Sequence, residues 1–190
     1  ADIVFIVDSS GSIQEENFNR MKSFLSGLAG ELDIDKGVIR FGVLQFSTDV
    51  ELEFNMNDYT ARADIQSHIQ GMPYIRGTTN TAEAIKYADT TMFTKNNGDR
   101  STAENIIVVM TDGGSNDKLA TFSEATKAKT RATLITMGLG NWVDTFELKA
   151  LASDSYKQNL ILVERWNQLD SFIDVLRDML CNSRSIIFYS

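Results

Sequence analysis

The sequence predicts an α/β fold: a doubly wound, mostly parallel sheet with one antiparallel edge strand and helices on both faces. Three observations predict it. The runs Ile3-Val4-Phe5-Ile6-Val7 and Ile106-Ile107-Val108-Val109-Met110 are apolar throughout, as strands covered on both faces are. Between and after them the apolar period switches to helical spacing, so strand and helix patterns alternate along the chain. Each of the two runs also ends in a loop bearing an aspartate among small residues, Asp8-Ser9-Ser10-Gly11-Ser12 and Thr111-Asp112-Gly113-Gly114. In open α/β sheets, ligands bind outside the carboxyl ends of strands, where the strand order reverses.

Each element follows in order. After the first strand, Phe18, Met21, Phe24, Leu25 and Leu28 fall at helical spacing from Glu15 onward. Phe41 to Phe46 reads as the second strand. Val50 to Phe54 alternates like a half-exposed strand, paired with it as a hairpin across Ser47-Thr48-Asp49. Helices are expected over Tyr59 to Ile69 and Thr81 to Phe93, separated by a loop with the single proline, Pro73, and followed by a polar turn at Lys95 to Arg100. Beyond the second apolar strand come a helix at Leu119 to Thr130, a strand at Ala132 to Met137 ended by Gly138 and Gly140, and a short helix at Val143 to Ala152. A last strand at Leu160 to Val163 and an amphipathic helix at Leu169 to Leu180 complete the pattern. The expected domain spans 1–182, and 183–190 reads as a C-terminal extension, an extra edge strand or the start of a linker.

A chain of 190 residues is expected to form one domain. Its net charge of -8 argues against nucleic acid as the main partner and is compatible with cation binding. No apolar run approaches the roughly 20 residues of a membrane span. The chain opens inside a strand with no signal peptide, as a mature or excised domain would. One cysteine, Cys181, leaves two readings open: a reduced compartment, or a disulfide partner outside this sequence.

Three loops supply oxygen: Asp8-Ser9-Ser10-Gly11-Ser12, Gly77-Thr78-Thr79-Asn80-Thr81 and Thr111-Asp112-Gly113-Gly114. Hydroxyls of Ser10, Ser12 and a threonine are neutral ligands suited to a hard cation, and Asp8 and Asp112 balance its charge directly or through water. Two carboxylates, held directly or through water, neutralise a dication less than three or four would, which leaves it more attractive to a partner's carboxylate.

With Asp8-x-Ser10-x-Ser12, then Thr79 in Thr79-Asn80-Thr81, then Thr111-Asp112-Gly113 in that order, the chain resembles the von Willebrand factor type A family and its metal-ion-dependent adhesion site. The resemblance runs from Asp2 to the final helix. It implies Ser10, Ser12 and Thr79 as direct ligands, with Asp8 and Asp112 in contact or water-linked, and Thr78 as the alternative to its neighbour. The cation it implies is Mg2+, with Mn2+ or Ca2+ as substitutes. Integrin-type members often carry an extra short helix, for which the compact Met137 to Val143 leaves no room. The chain is thus more similar to the A domains of matrilins, non-fibrillar collagens and byssal matrix proteins. That branch implies a secreted, extracellular matrix location, a multidomain parent, and collagen or another matrix protein bound through an acidic residue. It also implies that Cys181 pairs with a cysteine preceding Ala1.

Other readings of these residues are plainer. Ser12 with Glu15 three residues on matches a helix capping box. Asp117 and Asp144 read as helix-start residues, His68 as a surface residue, and Trp142 and Trp166 as packing or edge residues. Lys95, Arg100 and the Lys127/Lys129/Arg131 cluster read as solvated. An enzyme is not expected. The phosphotransferase pattern Asp-x-Asp has Ser at position 10, and there is no Gly-x-Ser-x-Gly elbow or phosphate-binding Gly-rich loop with Lys-Ser/Thr. A structural domain whose cation meets no protein ligand is the remaining alternative.

Overall fold

The computed structural model describes residues 1–182. Six strands form one sheet in the order β3-β2-β1-β4-β5-β6. They are β1 (Asp2–Asp8), β2 (Arg40–Phe46), β3 (Val50–Phe54), β4 (Asn105–Thr111), β5 (Thr133–Leu139) and β6 (Leu160–Val163). All neighbours pair parallel except β2 and β3. The predicted doubly wound sheet with one antiparallel edge strand is therefore the observed one. The expected edge strand or linker at 183–190 lies outside the described residues.

The sidedness follows from the two-residue period of a strand. Ile3, Phe5 and Val7 face one core, shared with α1 (Glu15–Glu31), α2 (Arg62–Gly71) and α7 (Ile173–Asn182). Val4 and Ile6 face the other, shared with α3 (Thr81–Tyr87), α4 (Lys118–Ala128) and Leu151 of α5 (Thr145–Leu151). Burial on both faces explains the unbroken apolar runs of β1 and β4. Among the described residues no helix is long and apolar enough to cross a membrane.

Several boundaries differ from expectation. Helix α2 begins at Arg62, not Tyr59, because Asp35 accepts the Arg62 N–H at 2.8 Å while Tyr59 turns back against Phe54 and His68. The helix expected to reach Phe93 is α-helical only to Tyr87 and continues as a π-turn over Ala88–Met92. Before α7, Trp166–Phe172 winds as 3-10 helix. A four-residue helix, α6 (Tyr156–Asn159), carries no apolar periodicity and was not foreseen. Strand β5 runs on through Gly138 to Leu139, and the glycine there is needed for packing, since a Cβ would meet Leu148 at 2.5 Å and Leu162 at 3.0 Å.

Arg100 is not a solvated charge. It ties the start of the sheet together, binding the fully buried Asp2 carboxylate at 2.7 Å and the carbonyls of Ala1, Gly37 and Val38. Arg131 likewise clasps Asp89, and Lys129 caps the carbonyls of Ala150 and Ala152. His68 is half-buried rather than on the surface, bridging Tyr59 at 3.1 Å and Glu53 at 3.2 Å.

Candidate functional site

The order β3-β2-β1-β4-β5-β6 reverses between β1 and β4, so a crevice opens at the carboxyl ends of those two strands. Their register aligns Val7 with Met110, which brings the next residues, Asp8 and Thr111, side by side. Thr111 Oγ1 donates to Asp8 Oδ2 at 2.6 Å, and the Ser10 N–H donates to Asp8 Oδ1 at 2.8 Å. The second bond turns the chain out of the strand. The sequence assigns Thr111 no separate role; its part is to hold the Asp8 carboxyl.

The turn presents two serines to the crevice. Ser12 Oγ donates to Asp112 Oδ1 at 2.9 Å, and Ser10 Oγ lies 3.1 Å from Ser12 Oγ. A hydroxyl has one proton, so Ser10 is the donor to Ser12. Ser12 is not the cap of α1, because it lies two residues before the one that flanks the helix. The residue flanking α1 is Gln14, at φ 65°, with no side-chain capping bond. Asp117 and Asp144 do cap, accepting from Ala120 and from Phe146 and Glu147 respectively.

The second loop is tied to both others. Gly11 N–H donates to the Gly77 carbonyl at 3.0 Å. Gly77 sits at φ 127°, and a Cβ there would lie 2.8 Å from Thr48 Oγ1, so only glycine fits this close approach. Asn116 holds the loop from the other side. Its backbone N–H donates to the Thr79 carbonyl at 2.9 Å, and its Oδ1 accepts the Thr79 N–H at 3.1 Å. Its Nδ2 donates to Thr78 Oγ1 at 3.0 Å, and Thr78 donates to Thr48 Oγ1 at 3.2 Å. Among the five predicted site residues, Ser10, Ser12 and Asp112 share one hydrogen-bonded chain, Asp8 stands behind it, and Thr79 does not join it. The Thr79 hydroxyl makes no hydrogen bond among the described residues.

Burial pushes the Asp8 carboxyl up to about 6, with the bonds from Ser10 and Thr111 opposing the rise and the charge of Asp112 adding to it. Burial also raises Asp112, against the bond from Ser12. Among the described residues no lysine or arginine offsets this desolvation, so both carboxyls hold their protons more tightly than free ones. No group of three or more His, Cys, Asp or Glu among the described residues is arranged to hold a metal. A metal here has to draw on hydroxyls, and that donor set suits a hard divalent ion rather than a soft one.

Three large apolar side chains are exposed on α4, on α5 and in the turn before α5, near residues that meet the Asp112 loop. Trp142 is 93% exposed, Leu119 81% and Phe146 73%, the highest values of any large apolar side chains among the described residues. The Lys118–Asp144 ion pair and the Phe122–Phe146 ring contact at 6.5 Å join α4 to α5. The nearly buried Glu147 carboxylate accepts the Ser115 N–H at 3.1 Å, fastening the loop to α5. Trp142 thus stands out into solvent, as the edge half of its reading has it. Trp166, by contrast, packs close to Gly140.

A family model described as von Willebrand factor type A domain matches residues 2–175. Over 185 residues, 95% of this chain, the sequence is 34% identical to matrilin-2 of Mus musculus. It is 33% identical over 190 residues, 97% of the chain, to the collagen alpha-6(VI) chain of Homo sapiens. These relatives are extracellular matrix proteins, and the matches cover only 19% and 8% of their lengths. Proximal thread matrix protein 1 from the mussel byssus superposes with a TM-score of 0.88 at 29% identity, over 95% of this chain and 48% of that one. The structure compared has a zinc-occupied MIDAS motif.

Proposed function

The chain belongs to the von Willebrand factor type A family, and from that premise we propose that it is a cation-dependent adhesion module and not an enzyme. Asp8, Ser10, Ser12, Thr79 and Asp112 hold a divalent cation, Mg2+ in use, with Mn2+ or Ca2+ able to replace it. The bound cation supplies a Lewis-acidic position that a glutamate or aspartate of the partner fills. Ser10, Ser12 and Thr79 contribute neutral oxygens, so the ion keeps positive charge for that carboxylate. Asp8, fixed by Thr111 and the Ser10 N–H, offers its charge from behind the serines.

The partner is collagen or another matrix protein, the location is extracellular, and residues 1–182 act as one module of a longer protein. The observation that carries this reading is the Ser10–Ser12–Asp112 chain, in which three side chains from two strand tips converge although 100 residues separate Ser12 from Asp112. The exposure of Trp142, Leu119 and Phe146 favours a protein ligand over a cation that only braces the fold.

The test is binding of the purified domain to immobilised matrix proteins in Mg2+ and in EDTA, with Asp112→Ala beside the wild type. Adhesion is expected to vanish in EDTA and in the variant, with an unchanged circular dichroism spectrum. Binding that survives both would overturn the mechanism and leave the structural role.

A further inference from the structure

We propose that Asn116 is the positioning residue that makes Thr79, and not Thr78, the threonine ligand of the cation socket; the inference rests on the reading of that socket given above. Thr78 and Thr79 are adjacent and chemically identical, so sequence alone does not separate them. Asn116 does. It lies four residues beyond Asp112 on the same loop and meets the threonine pair with three hydrogen-bonding groups. The backbone N–H holds the Thr79 carbonyl at 2.9 Å, and the side-chain oxygen holds the Thr79 N–H at 3.1 Å. The side-chain nitrogen meets the Thr78 hydroxyl at 3.0 Å.

The consequence is an asymmetry in what each hydroxyl has left to offer. A hydroxyl brings one proton and two lone pairs. Thr78 spends its proton on Thr48 and one lone pair on Asn116. Thr79 spends neither among the described residues. Exchanging the two roles would break the Asn116 side-chain bonds and the Thr48 contact together. A carboxamide is needed because it presents an acceptor and a donor side by side; alanine presents neither. The same residue couples two of the three loops. Asp112 and Asn116 share one loop, so the clamp fixes Thr79 relative to Asp112 before any ion arrives.

Outer partners that orient a metal's ligands typically govern about 10–100-fold in affinity. The backbone bond from Asn116 survives any side-chain change, so the lower end, about tenfold, is expected. The experiment compares wild type, Asn116→Ala, Thr79→Ala and Thr78→Ala. Mn2+ affinity is read by paramagnetic relaxation of water protons. The number of waters on bound Tb3+ is read from luminescence lifetimes in H2O and D2O. Asn116→Ala is expected to bind Mn2+ about tenfold more weakly and to add one water on Tb3+, as Thr79→Ala does, while Thr78→Ala keeps the wild-type water count. In the protein without metal, amide hydrogen exchange at Thr79 should quicken in Asn116→Ala. Asn116 is exposed, so its variants keep the fold, and Asn116→Ser provides a second one judged by the same readings.

Wild-type protein that binds neither ion overturns the socket itself and this inference with it. Wild-type binding with an unchanged water count in Asn116→Ala overturns this inference alone, whatever the affinity, because Thr79 would still reach the ion. A water gained in Thr78→Ala, with none gained in Thr79→Ala, assigns the ligand to the wrong neighbour and overturns it equally.

Discussion

Replacing Asp8 by asparagine should stabilise the protein in the absence of metal. The carboxyl is fully buried, and burial is the largest influence on it, raising it from 3.8 to about 6. A carboxyl raised on folding means that the folded state holds the proton more tightly than the unfolded chain. Stability from this group is therefore complete below pH 3.8 and is lost as pH climbs through about 6. Each whole step in pKa is worth about 1.4 kcal/mol, so the buried charge costs roughly 3 kcal/mol at pH 7.5. Asparagine keeps the geometry at no charge. Its oxygen can accept from the Ser10 N–H, and its nitrogen can donate to Thr111 Oγ1, whose own proton turns to the Gly113 carbonyl at 3.3 Å. For a chain of this size roughly 3 kcal/mol corresponds to about 6 to 12 °C in Tm. The assay is thermal unfolding followed by circular dichroism in EDTA, at pH 7.5 and at pH 3.5. Asp8→Asn should melt well above wild type at the higher pH and close to it at the lower. Mg2+ should then raise the wild-type Tm by mass action and leave the variant where it was. A variant that melts below wild type in EDTA at pH 7.5 would refute the reasoning, since the carboxylate would then be stabilising without a cation.

Thr79→Ala should weaken the partner more than the ion, because it removes one neutral oxygen from a socket the serines and aspartates still define; comparing adhesion with Mn2+ affinity in the same preparations checks this, and equal losses would count against it. Trp142→Ala should lower adhesion severalfold while Mn2+ affinity and Tm stay put, as the side chain is 93% exposed and exposed aromatics often anchor interfaces. Surface plasmon resonance against an immobilised matrix protein reads the first quantity and calorimetry the other two.

The fold was legible because burial on both faces of a parallel sheet leaves little choice of residue. Ile3 to Val7 and Ile106 to Met110 carry no polar side chain, which fits strands covered on both faces, and their alternation with helical patterns points to a parallel sheet. Helix ends were less legible for a physical reason. Where they stop is decided by partners distant in sequence, such as Asp35 capturing the Arg62 N–H, and not by the local apolar period. Arg100 was misread on the same account. A lone arginine in a polar turn looks solvated until Asp2, 98 residues earlier, is seen to need a counter-charge inside the protein.

The candidate site divides along the same line. Asp8, Ser10, Ser12 and Asp112 stand at the tips of the two most apolar strands, so their convergence follows from topology once the strands are recognised. Asn116 had no such signal. An asparagine between a serine and a helix-capping aspartate looks like one more loop residue, and what distinguishes it is the pairing of its amide with two threonines 37 and 38 positions away. The capping-box reading of Ser12 failed for a related reason: its hydroxyl could accept from a helix N–H or donate to a distant carboxylate, and only the fold shows that it donates to Asp112 while Gln14 flanks the helix. Strand tips therefore announce the aspartates and serines of the proposed socket in the sequence. How its threonine is held depends on hydrogen bonds between loops that sequence spacing does not encode.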